Sequence, residues 1–504
     1  MSATRPIWID RSAEAPALAP LESDAGTDVL VIGAGIAGLS VALALLENGR
    51  DVLLLDKHAV GAGQTSRSSA HLADALDDRF YRLERWHGGD GARLAAQSHA
   101  EAIDRIERRV AEFGIDCDFA RVDGGLVGAT HDDAAELHRE LDAARRAGLD
   151  VEWLEGGLPG LEAFGPALRF PRQARVDPLR YVAGLAAAVR ARGARFARAE
   201  VVEVDSAHAP FARTADGRRI DADAIVVATD VPFHESVAIH TKQAPYRTYV
   251  IAATVATDAL PDVLLWDTAD PYHYVRRVGA ERGDGRVLAL FGGADHKTGQ
   301  TLHGDPFDAL AAWTRAHFGE IAIERAWSGQ ILEPIDGLGF IGADPGGRDG
   351  VYVVTGDSGN GLTHGTLAGP LIAALIDGRE HPWRELYDPR RRPLRALGTW
   401  LAENANVAAQ YGDRLGPGRA RPLARGDGAV VREGLHRIAV HRDADGALHA
   451  FSALCPHLGC AVRWNAIERS WDCPCHGSRF DARDGRVLDG PAAHGLTPLD
   501  VGGG

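Results

Sequence analysis

The sequence predicts a Rossmann-like α/β domain that alternates along the chain with an α+β region, followed by a small C-terminal domain built around metal ligands. A strand, a glycine-rich turn, a helix and a second strand follow one another from Asp28. A further strand leads into a glycine-rich loop far along the chain, at Gly356. Four of the five cysteines lie between residues 455 and 475, which indicates a local need for sulfur.

Length and charge restrict the possible functions. A chain of 504 residues exceeds one ordinary core, so two or three domains are expected. The net charge of -15 argues against nucleic acid and anionic membrane surfaces as partners, since like charges repel. The N-terminus has no export signal, and the long apolar stretch from Val29 to Leu46 contains three glycines. We therefore predict a cytoplasmic protein without membrane insertion.

The first strand, turn, helix and second strand together carry a dinucleotide-binding fingerprint. Gly33, Gly35 and Gly38 stand between an apolar strand and a helix, and Asp56 ends the next strand eighteen residues after Gly38. The glycines let backbone and helix N-terminus approach a pyrophosphate, and the acid accepts ribose hydroxyls. The fingerprint alone does not separate FAD from NAD.

Two later strands extend this domain. The segment "DADAIVVATDVP" predicts a buried strand that ends at Ala228 and Thr229. A strand from Gly350 then runs into the loop from Gly356 to Gly361 and a helix. A second glycine loop at a helix N-terminus suits a large cofactor, and its amides would stabilise the negative charge of a reduced flavin.

The cysteine-rich segment offers a set of metal ligands. Cys455 and His457 form one C-x-H pair, and Cys473 and His476 form a C-x-x-H pair after fifteen intervening residues. Two thiolates and two imidazoles from two loops suit zinc, and they also suit a cluster with two thiolates on one iron and two imidazoles on the other.

Residues from about 421 to the C-terminus resemble a Rieske domain of the electron-transport type. The resemblance lies in "CPHLGC", "CPCHGS" and "RFDARDGRVLDGPA", with Gly490 and Pro491 at the position where the family carries its covering proline loop. It implies an all-β domain and a 2Fe-2S cluster held by the two Cys-His pairs. It also implies a disulfide between Cys460 and Cys475; a structural zinc site is the alternative.

One position departs from this family. High-potential members carry a tyrosine two residues after the serine of "CHGS", and here that position is Phe480. Ser478 can still donate to a cluster sulfur, but the phenolic hydrogen bond is absent. We predict a reduction potential within the Rieske range but below its top.

Residues 28 to about 390 resemble the FAD-dependent oxidoreductases of the D-amino acid oxidase, glycine oxidase and sarcosine oxidase superfamily. Besides the fingerprint, the resemblance lies in "GAGQTSRSSAHL", "QARVDPLRYVAGLA", "DPYHYVRR", "GGADHKTG", "WSGQILEPIDGLGFIG" and "TGDSGNGLTHGTLAG". It implies a Rossmann-like FAD-binding domain with an α+β substrate domain. Bacterial fusions of such a domain to a C-terminal Rieske module are the nearest likeness.

The resemblance implies noncovalent FAD. Arg67 occupies the place of the histidine that links flavin in some members, and no cysteine lies near Gly356. The predicted FAD-binding residues are Gly33, Gly35, Gly38, Asp56, Thr65, Ser66, Arg67, Val202, Ala228, Thr229, Gly356, Asp357, Gly359, Asn360, Gly361, Leu362 and Thr363.

The predicted domain boundaries follow from these motifs. An N-terminal extension (1–25) precedes the oxidoreductase domain (26–390), and a helix and linker (391–420) lead to the Rieske domain (421–504). FAD-binding parts are expected at about 26–86, 200–232 and 325–378, and substrate parts at about 87–199 and 233–324.

Substrate contacts are weakly marked in the sequence, and no catalytic residue is assigned. The candidates are Arg247, Tyr272, Tyr274 and Arg276, with Arg277, His273 and His364 as further neighbours. The arginines could hold a carboxylate or form structural ion pairs, and the tyrosines could line a pocket or fill a core. Cys117 is expected to be a small buried hydrophobic residue.

The C-terminal region also contains the residue types of a mononuclear iron site. Glu433, His436 and His441 are the residue types of a two-histidine, one-carboxylate triad. The segment alternates as a strand, however, and residues five apart on a strand point to opposite faces. The two imidazoles are not expected to converge.

Together these features predict an enzyme that oxidises a small amine or amino acid. Hydride would pass to FAD, then electrons singly to the Rieske cluster and on to an external acceptor of unknown identity. Two alternatives remain open: a cluster that feeds electrons into flavin, as in a reductase or oxygen-activating enzyme, or a redox sensor without turnover.

Overall fold

The computed structural model describes residues 4–11, 15–130, 133–234, 238–300, 304–414, 423–434 and 436–499. The proposed linker segment "GPGRARP" from Gly416 lies outside the described residues. Strands and helices are numbered in chain order. The helices are α1 (Ile36–Glu47), α2 (Phe80–Phe113), α3 (Ala134–Arg146), α4 (Pro178–Ala191), α5 (Pro306–Phe318), α6 (Gly361–Ile376), α7 (Arg384–Tyr387) and α8 (Leu397–Gln410).

A mostly parallel sheet of eight strands forms the first layer. Its strands are β1 (Ala25–Ile32), β2 (Val52–Asp56), β7 (Arg195–Arg198), β8 (Val201–Asp205), β9 (Phe211–Thr214), β10 (Arg219–Val227), β16 (Phe340–Ala343) and β17 (Val351–Thr355). The order is β16-β17-β10-β1-β2-β7, with β9 beside β10 and β8 beside β9. β1, β2, β7, β10 and β17 run parallel. Their buried, continuous apolar runs are typical of parallel strands covered on both faces.

Helices α1 and α6 cross closely on one face of this sheet. A Cβ atom on Gly365 would lie 2.9 Å from Ile36 Cγ2, and one on Gly369 would lie 2.6 Å from the carbonyl oxygen of Ser40. Only glycine permits this distance. The crossing brings the N-termini of both helices to the same end of the sheet.

A mixed sheet of nine strands forms the second unit. Its strands are β3 (His71–Leu72), β4 (Ala120–Val127), β5 (Glu152–Leu154), β6 (Ala167–Arg175), β11 (Gln243–Ala256), β12 (Val263–Asp267), β13 (Tyr274–Arg277), β14 (Arg286–Lys297) and β15 (Ala322–Pro334). The order is β15-β11-β14-β13-β12-β4-β6-β3, with β5 beside β6. α5 covers β11 and β14 with a second apolar core.

Three strands lie in a different sheet from the one expected from the predicted FAD-binding and substrate ranges. β7 joins the first sheet, although it lies before residue 200, whereas β3 and β15 join the second. The N-terminal segment also packs on the body: Trp8 is 1% exposed and its Nε1 donates to the Ser68 carbonyl at 2.8 Å. The physical reason is that strand pairing depends on tertiary neighbours, which local patterns do not encode.

The C-terminal domain is built from two small antiparallel sheets. The first contains β18 (Gly428–Glu433), β19 (His436–Arg442) and β20 (Leu448–Ser452). The second contains β21 (Arg463–Asn465), β22 (Ser470–Asp472), β23 (Arg479–Asp481) and β24 (Val487–Asp489). Trp471 and Phe480 are fully buried between these elements. The predicted fold class, with an α/β part, an α+β part and a β-rich C-terminal domain, is confirmed.

No described helix combines the length and apolar character that a membrane span requires.

Candidate functional site

The turn between β1 and α1 is built for close approach. Gly33 has a φ of +111°, and a Cβ atom on it would lie 2.3 Å from the carbonyl oxygen of Ala228. A Cβ atom on Gly38 would lie 1.8 Å from the carbonyl oxygen of Gly33. Glycine therefore lets the turn approach β10 and lets α1 pack on the turn, which leaves the helix N-terminus open.

Asp56 lies beside this turn at the end of β2. Its two carboxylate oxygens accept hydrogen bonds from the backbone amides of Ala34 and His58, each at 2.7 Å. These bonds fix the carboxylate where the acid of a dinucleotide fingerprint accepts ribose hydroxyls.

The loop between β17 and α6 leads into a second open helix N-terminus. Gly356 and Gly359 have φ angles of +74° and +75°, in the left-handed region that favours glycine. α6 begins at Gly361 directly after this loop. The unbonded amides of its first turn carry partial positive charge, so this end also stabilises an anion.

Both helix N-termini border one cavity of about 300 Å³. Most of the residues predicted to bind FAD line it. They are Gly33, Gly35, Asp56, Thr65, Arg67, Ala228, Thr229, Gly356, Asp357, Gly359, Asn360, Gly361 and Leu362.

The other four predicted residues are placed beside the cavity without lining it. Gly38 packs α1 against the turn, and the Ser66 hydroxyl donates to a backbone carbonyl at 2.8 Å. The Thr363 hydroxyl is hydrogen-bonded to a buried histidine at 2.8 Å. Val202 alternates with Val201 along β8, and Val201 is the residue that lines the cavity.

The cavity fits FAD. A pyrophosphate has a glycine turn and a helix N-terminus at one end, and a polar ring system has a second helix N-terminus at the other. Gln330 lines the wall between them; it is 2% exposed, and neither polar atom of its amide has a partner among the described residues. A cofactor with donors and acceptors along its length would satisfy such an amide.

Two of the substrate-contact candidates lie in this cavity. Tyr272 and Tyr274 line it with ring centroids 5.7 Å apart. The Tyr272 hydroxyl donates to Asp77 Oδ2 at 2.9 Å, and the Tyr274 hydroxyl is hydrogen-bonded to Thr248 Oγ1 at 2.9 Å. Burial raises the pKa of both tyrosines, so both remain protonated donors.

The arginine candidates lie elsewhere. Arg276 is 1% exposed and donates to the carbonyls of Ser69 and Val176 at 2.6 and 2.9 Å. Arg277 likewise donates to the Leu260 carbonyl at 2.6 Å. Arg247 contacts the C-terminal domain, as described below. Backbone carbonyls or acids already occupy these guanidinium groups. None of the three arginines lines the cavity, so none can hold a substrate carboxylate there.

Several cavity residues were not foreseen from the sequence. They are His71, Asp77, Thr248, Trp266, Gln330 and the C-terminal residues 487–490, 492 and 493. His364, left open as a candidate, also lines the cavity. Burial lowers the pKa of His71 to about 3 and that of His364 to about 4, so both imidazoles are neutral. No spacing marks these positions, because tertiary packing alone brings them together.

The cysteine-rich loops bring the four predicted cluster ligands together. Cys455 and Cys473 are 2% and 1% exposed, and their thiols are hydrogen-bonded to each other. This bond, with nearby backbone amides and Ser478, lowers the pKa of Cys455. The rings of His457 and His476 lie with centroids 5.0 Å apart. Two adjacent thiols and two adjacent imidazoles fit the donor set of a Rieske 2Fe-2S cluster.

The remaining two cysteines of these loops form a disulfide. Cys460 and Cys475 are bonded, with Cα atoms 6.4 Å apart. Both sulfur atoms lie within 4.8 Å of the Cys473 sulfur. The bridge therefore joins the two ligand loops directly beside the cluster position, and the predicted pairing is confirmed.

The alternative iron triad does not form. His441 is 4% exposed and its Nδ1 is hydrogen-bonded to the Asp427 carbonyl at 3.0 Å, whereas His436 is exposed on the opposite face of β19. Cys117 is 1% exposed, and burial raises the pKa of its thiol to about 12. It is the inert buried thiol that the sequence predicted.

The C-terminal domain borders the cavity. Its segment 487–490, together with residues 492 and 493, forms part of the cavity wall. The Gln64 amide donates to Asp489 Oδ1 at 2.8 Å. Nearby, the buried His240 ring lies 5.1 Å from the His457 ring and 6.0 Å from the His476 ring, measured between centroids. The cluster ligands therefore face the oxidoreductase domain.

A buried ion network holds the two domains together. Arg247, fully buried, hydrogen-bonds to Ser328 and lies 3.7 Å from Glu468 Oε1 of the C-terminal domain. Ser328 in turn donates to Glu468. Arg479 lies 2.9 Å from Asp489 Oδ2 and 3.5 Å from Glu468 Oε2. Asp472 also lies 3.1 Å from Arg479 Nε, so the two arginines share three acids, and these opposite charges are what makes the burial tolerable.

Comparisons with known proteins agree with these two sites. The family model for FAD dependent oxidoreductases matches residues 28–375, and that for the Rieske [2Fe-2S] domain matches residues 418–500. The chain is 29% identical over 497 residues to the Rieske 2Fe-2S iron-sulfur protein YhfW of Bacillus subtilis, covering 97% of this chain and 96% of that protein. It is 27% identical over 370 residues to gamma-glutamylputrescine oxidoreductase of Escherichia coli, covering 70% and 84%.

Solved structures share the fold of the larger domain. Glycine oxidase from Geobacillus kaustophilus superposes with a TM-score of 0.61 at 21% identity, covering 73% of this chain and 99% of that one. L-proline dehydrogenase from P. horikoshii gives a TM-score of 0.59 at 17% identity, covering 73% and 98%. FAD and a Rieske 2Fe-2S cluster are the cofactors of the two matched domains. By sequence match and shared fold, this chain belongs to the FAD-dependent oxidoreductases and carries a Rieske domain at its C-terminus.

Proposed function

We propose that this protein oxidises the C-N bond of a small amine or amino acid and passes the electrons one at a time through its own Rieske cluster to an external acceptor. One observation carries the proposal: the C-terminal domain lines the same cavity as the two helix N-termini. A cluster docked against the flavin cavity suits electron transfer between the two cofactors within one chain.

The two cofactors would supply the redox chemistry of this reaction. FAD, when bound, would supply a hydride acceptor for the carbon beside nitrogen, with the resulting imine hydrolysed by water, and a 2Fe-2S cluster would supply single-electron transfer. Hydride transfer requires the nitrogen lone pair, so an amine that binds as an ammonium ion must first release one proton to a cavity acceptor or to solvent.

The chain's own residues bind and orient. The α6 N-terminus stabilises negative charge at the ring end of the cavity, and Trp266, Tyr272 and Tyr274 form an aromatic wall. The C-terminal segment covers the cavity and limits the access of water. Relatives named glycine oxidase and gamma-glutamylputrescine oxidoreductase support a small amino compound as the substrate.

An anaerobic titration tests the proposal. Purified protein is mixed with a panel of amino acids and N-methylated amines, while flavin absorbance and the Rieske EPR signal are followed together. We expect the flavin to bleach and the EPR signal to grow afterwards. In the Cys473→Ser variant, which lacks a cluster ligand, the flavin should bleach without an EPR signal.

The other outcomes separate the alternatives. If dithionite raises the EPR signal but no amine bleaches the flavin, amine oxidation is refuted, and reverse electron flow or redox sensing takes its place. If the protein holds zinc and no iron, the cluster assignment is refuted as well.

A further inference from the structure

We infer that the substrate pocket selects an amine without a carboxylate beside the nitrogen, bound as an ammonium cation at Asp77 and Asp357. The inference rests on the proposed amine oxidation and narrows its substrate class. The sequence left amines and amino acids equally open; the side chains around the α6 end of the cavity separate them.

Two cavity carboxylates converge at the loop before α6. Asp77 Oδ2 lies close to Gly359, since a Cβ atom on that glycine would be 2.1 Å away. Asp357 belongs to the same loop, and a Cβ atom on Gly361 would lie 2.5 Å from its Oδ2. Both acids line the cavity. A ligand at the α6 end of the cavity therefore faces both carboxylates.

Further acids lie directly behind this loop. The Ser358 hydroxyl is within 2.7 Å of both Asp78 Oδ2 and Glu333 Oε2. Asp77, Asp78, Glu333 and Asp357 have no arginine, lysine or histidine within ion-pair distance in the described part of the chain. Arg79 and Arg82 act on Asp77 and Asp78 only from beyond ion-pair distance, so the acids at this end of the cavity have no direct cationic partner.

Polar atoms that face this region lack partners. Asp357 Oδ1 and His364 Nε2 are buried and make no hydrogen bond to any described residue. His364 is 3% exposed and lines the cavity in the first turn of α6. Because its imidazole is neutral, its free nitrogen can accept a hydrogen bond. An ammonium group supplies the donors that such acceptors need.

The aromatic wall also favours a cation. Trp266, Tyr272 and Tyr274 line the cavity, and the Tyr272 hydroxyl is bonded to Asp77. Aromatic faces beside a carboxylate attract ammonium ions through the ring quadrupole as well as through charge. Asp77 and Asp357, when ionised, oppose a substrate carboxylate at this position, against the weaker attraction of the α6 N-terminus.

The positive side chains of the cavity lie toward the other domain. Among the described lining residues, Lys57 Nζ donates to the Val487 carbonyl at 3.4 Å, and Arg67 Nη1 donates to the Ser328 carbonyl at 2.7 Å. Arg247 and Arg276, which the sequence offered as either carboxylate clamps or structural ion pairs, are buried outside the cavity. No described guanidinium is therefore left beside Tyr272 to hold a carboxylate.

Burial costs support the same assignment. Burial raises the pKa of Asp77 to about 6 and that of Asp357 to about 6, because loss of water penalises both ionised carboxylates, and the charge of Arg79 offsets this only in part at Asp77. A bound ammonium ion would stabilise both in the ionised form.

A pair of ligands that cannot be oxidised tests the inference. tert-Butylamine and 2-aminoisobutyrate have no hydrogen on the carbon beside nitrogen, and they differ by one methyl group replaced with a carboxylate. Isothermal titration calorimetry on the FAD-loaded protein at pH 8 measures their binding without turnover. We expect tert-butylammonium to bind at least about tenfold more tightly than 2-aminoisobutyrate. Equal or tighter binding of the amino acid would overturn the inference, as would no binding of the amine.

A matched pair of variants locates the site. Asp77→Asn should weaken tert-butylammonium binding by about tenfold, since one of two carboxylates is lost. Asp74→Asn is the control: Asp74 is a buried acid three residues away that bonds Gln173 and does not line the cavity. Unchanged binding in Asp77→Asn would overturn the assignment of Asp77, and the wild-type ligand comparison stands without any variant.

The outcome is separate from that of the proposed function. If tert-butylammonium binds as expected but no oxidisable amine bleaches the flavin, the cation site stands and the amine oxidation fails. If 2-aminoisobutyrate binds as tightly and amino acids bleach the flavin, the oxidation stands and this inference fails.

Discussion

Ser478 and Phe480 flank the cluster ligands with one polar and one apolar side chain. The Ser478 hydroxyl hydrogen-bonds to Cys455 and accepts from the Ala492 amide at 3.0 Å. Phe480 is fully buried in the core that contains the ligand cysteines. Hydrogen bonds to cluster sulfur stabilise the reduced form, so these residues set the reduction potential.

We predict opposite potential shifts for two substitutions. Ser478→Ala should lower the reduction potential because it removes a donor, and Phe480→Tyr should raise it because it adds one. Potentiometric titration followed by EPR measures both. A rise in Ser478→Ala, or a fall in Phe480→Tyr, would contradict this account.

The titration of Asp295 should make the stability of the protein depend on pH. Burial raises its pKa from 3.8 to about 7, so the folded state binds this proton more tightly than the unfolded state. The buried ionised carboxylate therefore lowers the free energy of unfolding above pH 7, and this loss of stability disappears as the pH falls toward 4. Asp295→Asn should raise the free energy of unfolding at pH 8 by up to about 4 kcal/mol, with a smaller gain at pH 5.

Urea denaturation at the two pH values measures this effect. Glu281→Gln, at an exposed position, serves as the control and should leave the free energy of unfolding nearly unchanged at both. An equal gain for Asp295→Asn at pH 5 and pH 8 would exclude titration as the cause.

The crossing of α1 and α6 couples the two ends of the FAD site. Gly369→Ala would place a Cβ atom 2.6 Å from the Ser40 carbonyl oxygen, so the helices must separate. We expect a loss of about 1–3 kcal/mol of stability and weaker FAD binding, because both helix N-termini move. Thermal unfolding and fluorescence titration with FAD measure the two effects.

A glycine in open space provides the control for this variant. Nothing lies within 4 Å of a Cβ atom on Gly398 in α8, so Gly398→Ala should leave stability unchanged or raise it by up to about 1 kcal/mol. FAD affinity should not change. Equal FAD affinity in Gly369→Ala and wild type would show that the crossing does not position the cofactor.

Elements with a strong local pattern were predictable from the sequence. The β1-α1-β2 unit, the α6 loop and the cysteine loops each carry a motif whose spacing reflects one local geometry. Sheet membership of β3, β7 and β15 was not predictable, because strand pairing is decided by distant neighbours. The same holds for Arg247, whose partner Glu468 lies more than two hundred residues later.

A buried ion network joins the two domains, with Arg247 of the oxidoreductase domain beside Glu468 of the C-terminal domain. Glu468→Gln removes the carboxylate charge nearest to Arg247, which is fully buried, and leaves Asp489 at 3.9 Å. Breaking a buried pair in this way costs about 3–5 kcal/mol. We predict that the C-terminal domain undocks, with a larger radius of gyration in solution scattering and faster hydrogen exchange in segment 487–493.

An exposed pair supplies the comparison for this variant. Glu203 and Arg213 form a surface ion pair at 3.1 Å, and Glu203→Gln should change neither scattering nor exchange. If Glu468→Gln keeps wild-type scattering and exchange, the network does not hold the domains together.

The closing of the flavin cavity by residues 487–493 also bears on biogenesis. Residues 28–375 leave the ribosome well before the segment that covers their cofactor site. A growing chain that still lacks the last domain would therefore present this cavity with part of its wall missing, and FAD could enter through the gap. Synthesis in this order favours loading of the flavin before the Rieske domain docks.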